Sequence, residues 1–314
     1  NALATGSTVV MLPSEHAPVI ALKFAELLSE AGFPDGTVNV VAGDGYTIGD
    51  SLVTHPLVKS VTFTGSTVVG KHIQQLCARD SKHVTLELGG KNPLVILNDA
   101  TLSDAVQGAV RGMFMHQGQA CISSSRIYVQ KGIYPDFIEA YTGVVSKLGV
   151  GDLRDPATII GPIISDRQRE RIKRHIRDAQ EKGANIVVGG DWEGNRCHPT
   201  VLTNVTEDME CHAEETFGPV VSVYQVEDLE EGLVAANNSR YGLSSAIYTN
   251  DLNNALRYAR AIESGMVHVN GPSVTDEAHV PFGGIGDSGF GREGTEADID
   301  ALTELKWVTM QTKT

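Results

Sequence analysis

Cysteine is scarce in this chain: Cys77, Cys121, Cys197 and Cys211 are the four among 314 residues, and no two form a CxxC pair. That scarcity excludes a disulfide framework and a zinc knuckle, and it fits a reducing, cytoplasmic setting. The dipeptides Cys197-His198 and Cys211-His212 do not suggest a metal site, because adjacent side chains on an extended strand point to opposite faces. Positive charge is also short. Lys and Arg number 25 against 39 Asp and Glu, a net charge of −14, which argues against nucleic acid as a partner. The one basic run, 166–183, interleaves acids and sets Ile172, Ile176 and Ala179 at helical spacing, so it reads as a solvated amphipathic helix. No apolar run approaches the length of a membrane span, and the opening residues lack a signal-peptide pattern. There is no internal repeat and no low-complexity linker. The first residue is Asn1, and a strand pattern begins within a few positions, as though the chain continued something longer.

With 41% hydrophobic and 20% charged residues, the chain can bury a substantial core and reads as one large or two ordinary globular domains. Its first ninety residues alternate strand and helix. TVVML (8–12) is β-rich, and the stretch 17–32 places Ile20, Phe24, Leu27, Leu28 and Ala31 on one helical stripe ending at Gly32. Strands follow at 37–43, in VKSVTFTG and in KHVTLELGG, separated by helices in YTIGDSLVTH and STVVGKHIQQLCARD. That rhythm predicts right-handed βαβ units, a parallel sheet, and ligand binding beyond the carboxyl ends of its strands. A second α/β region begins near residue 92, and the end of the chain, ELKWVTMQ, is β-rich.

Three loops could carry chemistry. In FTGSTVVG (63–70), Gly65 and Ser66 leave a strand and open a helix, where free amides and the helix dipole could hold a pyrophosphate. The spacing is GxxxxG and lacks the GxGxxG fingerprint, so an ordinary strand-to-helix turn explains it equally. In TLELGGKNP (85–93), Glu87 ends an apolar strand, where burial would raise its pKa toward that of a general base; a structural glutamate is the alternative. In HQGQACISSS (116–125), Cys121 sits among small residues, either as a nucleophile or as a compact apolar filler.

In order along the chain, PSE (13–15), FTGST (63–67), ELGGKNP (87–93), GQAC (118–121), ETFGPV (215–220), PFGG (281–284) and SGFGRE (288–293) resemble the aldehyde dehydrogenase superfamily over essentially all 314 residues. The resemblance implies an α/β fold: a Rossmann-type cofactor domain over 1–90, incomplete at its N-terminal side, a catalytic domain over 91–295, and an oligomerisation tail over 296–314. It implies that Cys121 attacks an aldehyde to give a thiohemiacetal whose hydride passes to NAD, and that Glu87 activates the water that hydrolyses the thioester. Gly65 and Ser66 then match the pyrophosphate turn, Glu215 the ligand of the nicotinamide ribose, and Phe217 the ring beside the nicotinamide; Leu88 belongs to the same cofactor site. Glu15 matches a ligand of the adenine ribose whose charge repels a 2′-phosphate and so favours NAD over NADP. Asn92 and Asn270 resemble supporting residues.

HVPFGG and TELKWVTMQ look like the benzaldehyde, salicylaldehyde and vanillin dehydrogenase branch, which suggests an aromatic aldehyde. Phe114, Met115 and His279 are then candidates to line the substrate pocket, although Phe114 and Met115 also fit ordinary helix core. Departures from the family pattern are Leu12 for a lysine, Val68 for a glutamate and Gly286 for a lysine. The tail resembles a segment that pairs between subunits, so a homodimer or homotetramer is expected. Two other classes are an inactive core serving as an assembly or binding module, and a thiol hydrolase pairing Cys121 with His116.

Overall fold

The computed structural model describes residues 1–312, the side chain of Thr295 excepted. Its centre is a seven-stranded sheet, in the order Met266–Val269, Ser244–Tyr248, Pro93–Ile96, Arg126–Gln130, Val220–Val226, Thr200–Thr203 and Asn185–Val188. Every pair is parallel except the last, where Asn185–Val188 runs antiparallel to Thr200–Thr203. Parallel strands covered on both faces read as continuous apolar runs, and Pro93–Ile96 and Ser244–Tyr248 are buried at every position.

One face is covered by the helices Leu102–Phe114 and Tyr134–Val145, whose Ala105, Ala109, Met113, Phe137 and Tyr141 meet Leu94, Ile127 and Val223 in the main core. The other face is covered by Leu229–Asn237 and Leu252–Ala261. The basic run forms the helix Asp166–Glu181, capped by Ser165, and buries Ile172, Ile176 and Ala179.

The first ninety residues form the expected elements in the expected order, but no single sheet. Val9–Met11 pairs with Val38–Val40, and Ser60–Thr64 pairs with His83–Glu87, both parallel, and no ladder joins the two pairs among the described residues. The helix Pro18–Glu30 buries nothing; Ile20 is 72% and Phe24 50% exposed. Its apolar stripe is present; Ala21, Ala25 and Leu28 are half-buried and the helix touches the strand Val38–Val40, but among the described residues nothing covers Ile20, Phe24 and Leu27 fully.

Gly289–Phe290 returns from the larger region and adds antiparallel to His83–Glu87, so the glycine-rich loop 281–294 spans both regions. At the end, Thr295–Leu302 is a helix, and residues 303–312 run without a strand ladder. A strand needs a partner for its backbone groups, and inside one chain this segment has none among the described residues. Leu305, Trp307 and Met310 are left exposed.

Candidate active site

The helix Leu102–Phe114 ends in a short turn, Met115–Gly118, in which His116, Gln117 and Gly118 take left-handed φ values of 51°, 59° and 65°. At Gly118 the conformation is joined by close approach, since a Cβ there would stand 2.4 Å from the Gly218 carbonyl oxygen. This reversal delivers Cys121 on a loop. Its thiol is partly exposed, whereas Cys77, Cys197 and Cys211 are buried.

The loop is fastened to the sheet by Asn92. Its Nδ2 donates to the carbonyl of Cys121 at 2.7 Å and to that of Ser123 at 2.9 Å, while its Oδ1 accepts from the Ser244 amide at 2.9 Å. Ser273 adds a second tie, donating to the Ile122 carbonyl at 2.6 Å and meeting the Ser124 hydroxyl at 2.6 Å. Asn92 is 1% exposed, so losing it would leave buried groups unpaired at about 1–3 kcal/mol.

Glu87 ends the strand His83–Glu87 and is 2% exposed. Among the described residues neither carboxyl oxygen has a hydrogen-bond partner, and a Cβ on Gly283 would stand 2.6 Å from its Oε1. Burial, reinforced by Glu293 and opposed by Arg292, pushes the carboxyl up to about 8. Cys121 moves the same way: burial, then the Glu215 and Glu87 carboxylates, push its thiol up to about 11. At neutral pH the protonated form of each therefore predominates, with an ionised fraction at Glu87.

Glycines bring these parts together. At Gly90 a Cβ would meet the Cys121 carbonyl oxygen at 2.3 Å, and at Gly89 it would meet Glu215 Oε2 at 2.7 Å. The Gly90 amide donates to Glu215 Oε1 at 3.0 Å. Burial raises the Glu215 pKa, and that amide lowers it.

A dinucleotide fits the neighbouring groups. The helix Thr67–Arg79 starts at Ser66, whose side chain accepts from the Val69 amide, and it has no acid in its first turn. Gly65 precedes it, held by its amide to the Glu87 carbonyl at 3.0 Å. Such an N-terminus attracts phosphate. Leu88 packs on this helix, where Gly70 makes room; a Cβ there would stand 2.3 Å from Leu88 Cδ2. Phe217 is held at φ 52°, and Glu15 is exposed beside His16.

The substrate candidates separate. Phe114 lies in the main core at 1% exposure, whereas Met115 packs against the cluster that contains Cys121, Ile122, Val274 and Phe282. His279 is exposed on the loop before the glycine-rich segment. Asn270 bonds the Thr249 backbone through both side-chain atoms at 3.0 Å, bracing a strand end. His116 is exposed, and its backbone carbonyl accepts from the Gln119 amide.

Two contributors escaped the reading of the sequence. Gln168 donates to the carbonyls of Thr216 at 2.6 Å and Phe217 at 2.9 Å, and Arg171 lowers the Glu215 pKa by its charge. Both sit on the helix read as a solvated face, and their partners are remote in sequence.

A sequence profile described as "Aldehyde dehydrogenase family" matches residues 1–308. The chain belongs to the aldehyde dehydrogenase family. It is 43% identical over 312 residues to a vanillin dehydrogenase of Pseudomonas fluorescens, covering 98% of this chain and 65% of that one. It is 40% identical over 310 residues to the NADP-dependent succinate-semialdehyde dehydrogenase GabD of Escherichia coli, covering 98% and 64%. Among solved structures, betaine aldehyde dehydrogenase from Staphylococcus aureus in complex with NAD+ aligns with a TM-score of 0.91 at 40% identity, over 95% of this chain and 60% of that one. This aldehyde dehydrogenase chain thus spans less than two thirds of the length of these relatives.

Proposed function

We propose that the chain oxidises an aldehyde to the carboxylic acid with NAD, using Cys121 as nucleophile and Glu87 as general base. The observation that carries this reading is the backbone contact of Gly90 with Cys121, which sets the segment that follows the strand of the buried carboxyl, unpartnered among the described residues, against the loop bearing the partly exposed thiol. Cys121 Sγ adds to the carbonyl carbon while its proton passes through solvent to the carbonyl oxygen, leaving a thiohemiacetal on the protein. NAD, when bound, supplies the hydride acceptor. Glu215, Gly65, Ser66, Leu88 and Phe217 hold it, and Glu15 favours it over its 2′-phosphorylated form. The acyl group then remains on Cys121 as a thioester. In its ionised form Glu87 takes a proton from the attacking water and passes it to Cys121 Sγ as the C–S bond breaks, so the acid leaves and the thiol is restored.

Aromatic aldehydes are the substrate class we favour. Cys121 packs against the apolar cluster of Ile122 and Val274, as do Met115 and Phe282, and the acidic groups acting on it are Glu215 and Glu87. That setting suits a neutral ring and disfavours an aldehyde carrying its own carboxylate. The four free cysteines fit a cytoplasmic setting, and among the described residues no helix is long and apolar enough to cross a membrane. The exposed apolar tail suggests pairing in a homodimer or homotetramer.

The bare helix Pro18–Glu30 favours a second reading, a core that assembles or binds without turnover. The test is NADH formation with benzaldehyde, run beside Cys121→Ala on samples of known intact mass. Turnover that vanishes in the variant supports the dehydrogenase; a folded chain with no turnover supports the second reading.

A further inference from the structure

Asp287 lies in the glycine-rich loop, and its side chain, 18% exposed, joins segments far apart in sequence. One carboxylate oxygen meets Lys71 Nζ at 2.5 Å, and the other meets Arg240 Nη1 at 3.0 Å. Arg240 reaches on through Nη2 to Glu214 at 2.6 Å and to the Tyr241 hydroxyl at 2.8 Å. The Asp287 backbone is fixed as well: its amide donates to the Arg240 carbonyl at 3.0 Å, and its carbonyl accepts from the Thr67 hydroxyl at 2.9 Å. Gly286 permits this approach, with φ 60° and a Cβ position 2.9 Å from the Arg240 carbonyl oxygen.

The two ends of this chain of contacts matter. Thr67 and Lys71 lie on the first turns of the helix that opens at Ser66. Glu214 precedes Glu215, whose carboxylate is held by the Gly90 amide. We infer that Asp287 is a positioning residue for the dinucleotide, fixing the distance between the helix N-terminus that takes the pyrophosphate and the Glu215 carboxylate that takes a ribose. The inference rests on the cofactor reading given above. Lys71 and Arg240 hold the Asp287 carboxyl below its usual range, consistent with a carboxylate that stays charged between them.

The test is calorimetric titration of the chain with NAD alone, without aldehyde, together with amide exchange of the free protein. Asp287→Asn should weaken NAD binding about five- to tenfold, as expected for two partly shielded ion pairs acting on one ligand. Exchange should quicken both at 66–70 and at 215–217. Asp287→Glu should recover most of the affinity, and Lys71→Met, which cuts one arm, should cost about two- to threefold. In turnover, KM for NAD should rise more than kcat falls. An Asp287→Asn chain that binds NAD within twofold of wild type, or exchange altered at neither segment, overturns the proposal. If Asp287→Asn fails to fold, full affinity in both Lys71→Met and Arg240→Met overturns it. A wild-type chain that binds no NAD overturns this proposal and the cofactor reading together, whereas binding without oxidation overturns only the dehydrogenase reading.

Discussion

The helices Pro18–Glu30 and Leu102–Phe114 are both 13 residues long and both carry an apolar stripe, yet the first buries no residue and the second buries seven. The difference lies in what each meets. Leu102–Phe114 lies on a seven-stranded sheet built within the chain, while Pro18–Glu30 stands beside a pair of three-residue strands. An amphipathic pattern specifies a face, and only tertiary structure supplies its partner.

The comparison breaks most sharply at the proposed nucleophile, which belongs to the well-packed region. Cys121→Ala should lower aldehyde oxidation by more than about 10³-fold while leaving NAD binding measurable by titration. Retained oxidation would remove the mechanism. Glu87→Gln, at the seam between regions, should slow thioester hydrolysis about 10²-fold or more and hydride transfer less, so rapid mixing should show a burst of NADH before a slow steady rate. A steady rate equal to wild type would contradict the assignment.

A matched pair of leucines sharpens the contrast in stability. Leu94→Ala, at 1% exposure, should cost about 2–5 kcal/mol by urea denaturation, whereas Leu27→Ala, at 51%, should stay within about 0.5 kcal/mol. Equal effects would show that Pro18–Glu30 is covered in solution.

Two pH effects are smaller. The folded-state pKa of Glu87, about 8, lies above its ordinary value of 4.5, so the native state binds the extra proton and this group's contribution to stability is lost as pH rises from about 4.5 to 8. Glu87→Gln should therefore gain in melting temperature relative to wild type at pH 8 compared with pH 5; the opposite trend would place the carboxyl in a solvated or paired setting. In the free chain, alkylation of Cys121 by iodoacetamide should climb from pH 7 to 10 without a plateau, because its thiol titrates at about 11. A plateau near pH 8 would reveal a cation beside the thiol.

Local grammar made much of this structure legible. The strand-to-helix turn at Gly65-Ser66 and the strand ending at Glu87 fall where the local pattern places them. Helices followed from apolar spacing, as with Ile172, Ile176 and Ala179 in Asp166–Glu181. Contacts between remote segments were not legible. Gly289–Phe290 joining His83–Glu87, Gln168 holding the Phe217 carbonyl and Asp287 bridging Lys71 to Arg240 each span tens to hundreds of residues, and local propensity carries no record of them. Phe114 and Met115 show the same limit at shorter range, since these adjacent residues at a helix end divide between the central core and the cluster at Cys121.

The missing side chain at Gly90 has a further consequence for how the site tolerates change. Where two reacting groups are spaced by side chains, substitutions around them can drift and compensate. Here the gap between the loop of Cys121 and the strand of Glu87 is set by one peptide resting on another, with no room for a methyl group. Side chains around this contact can therefore be replaced while the spacing of the two segments stays constant, much as a hinge keeps its pin when the door is replaced.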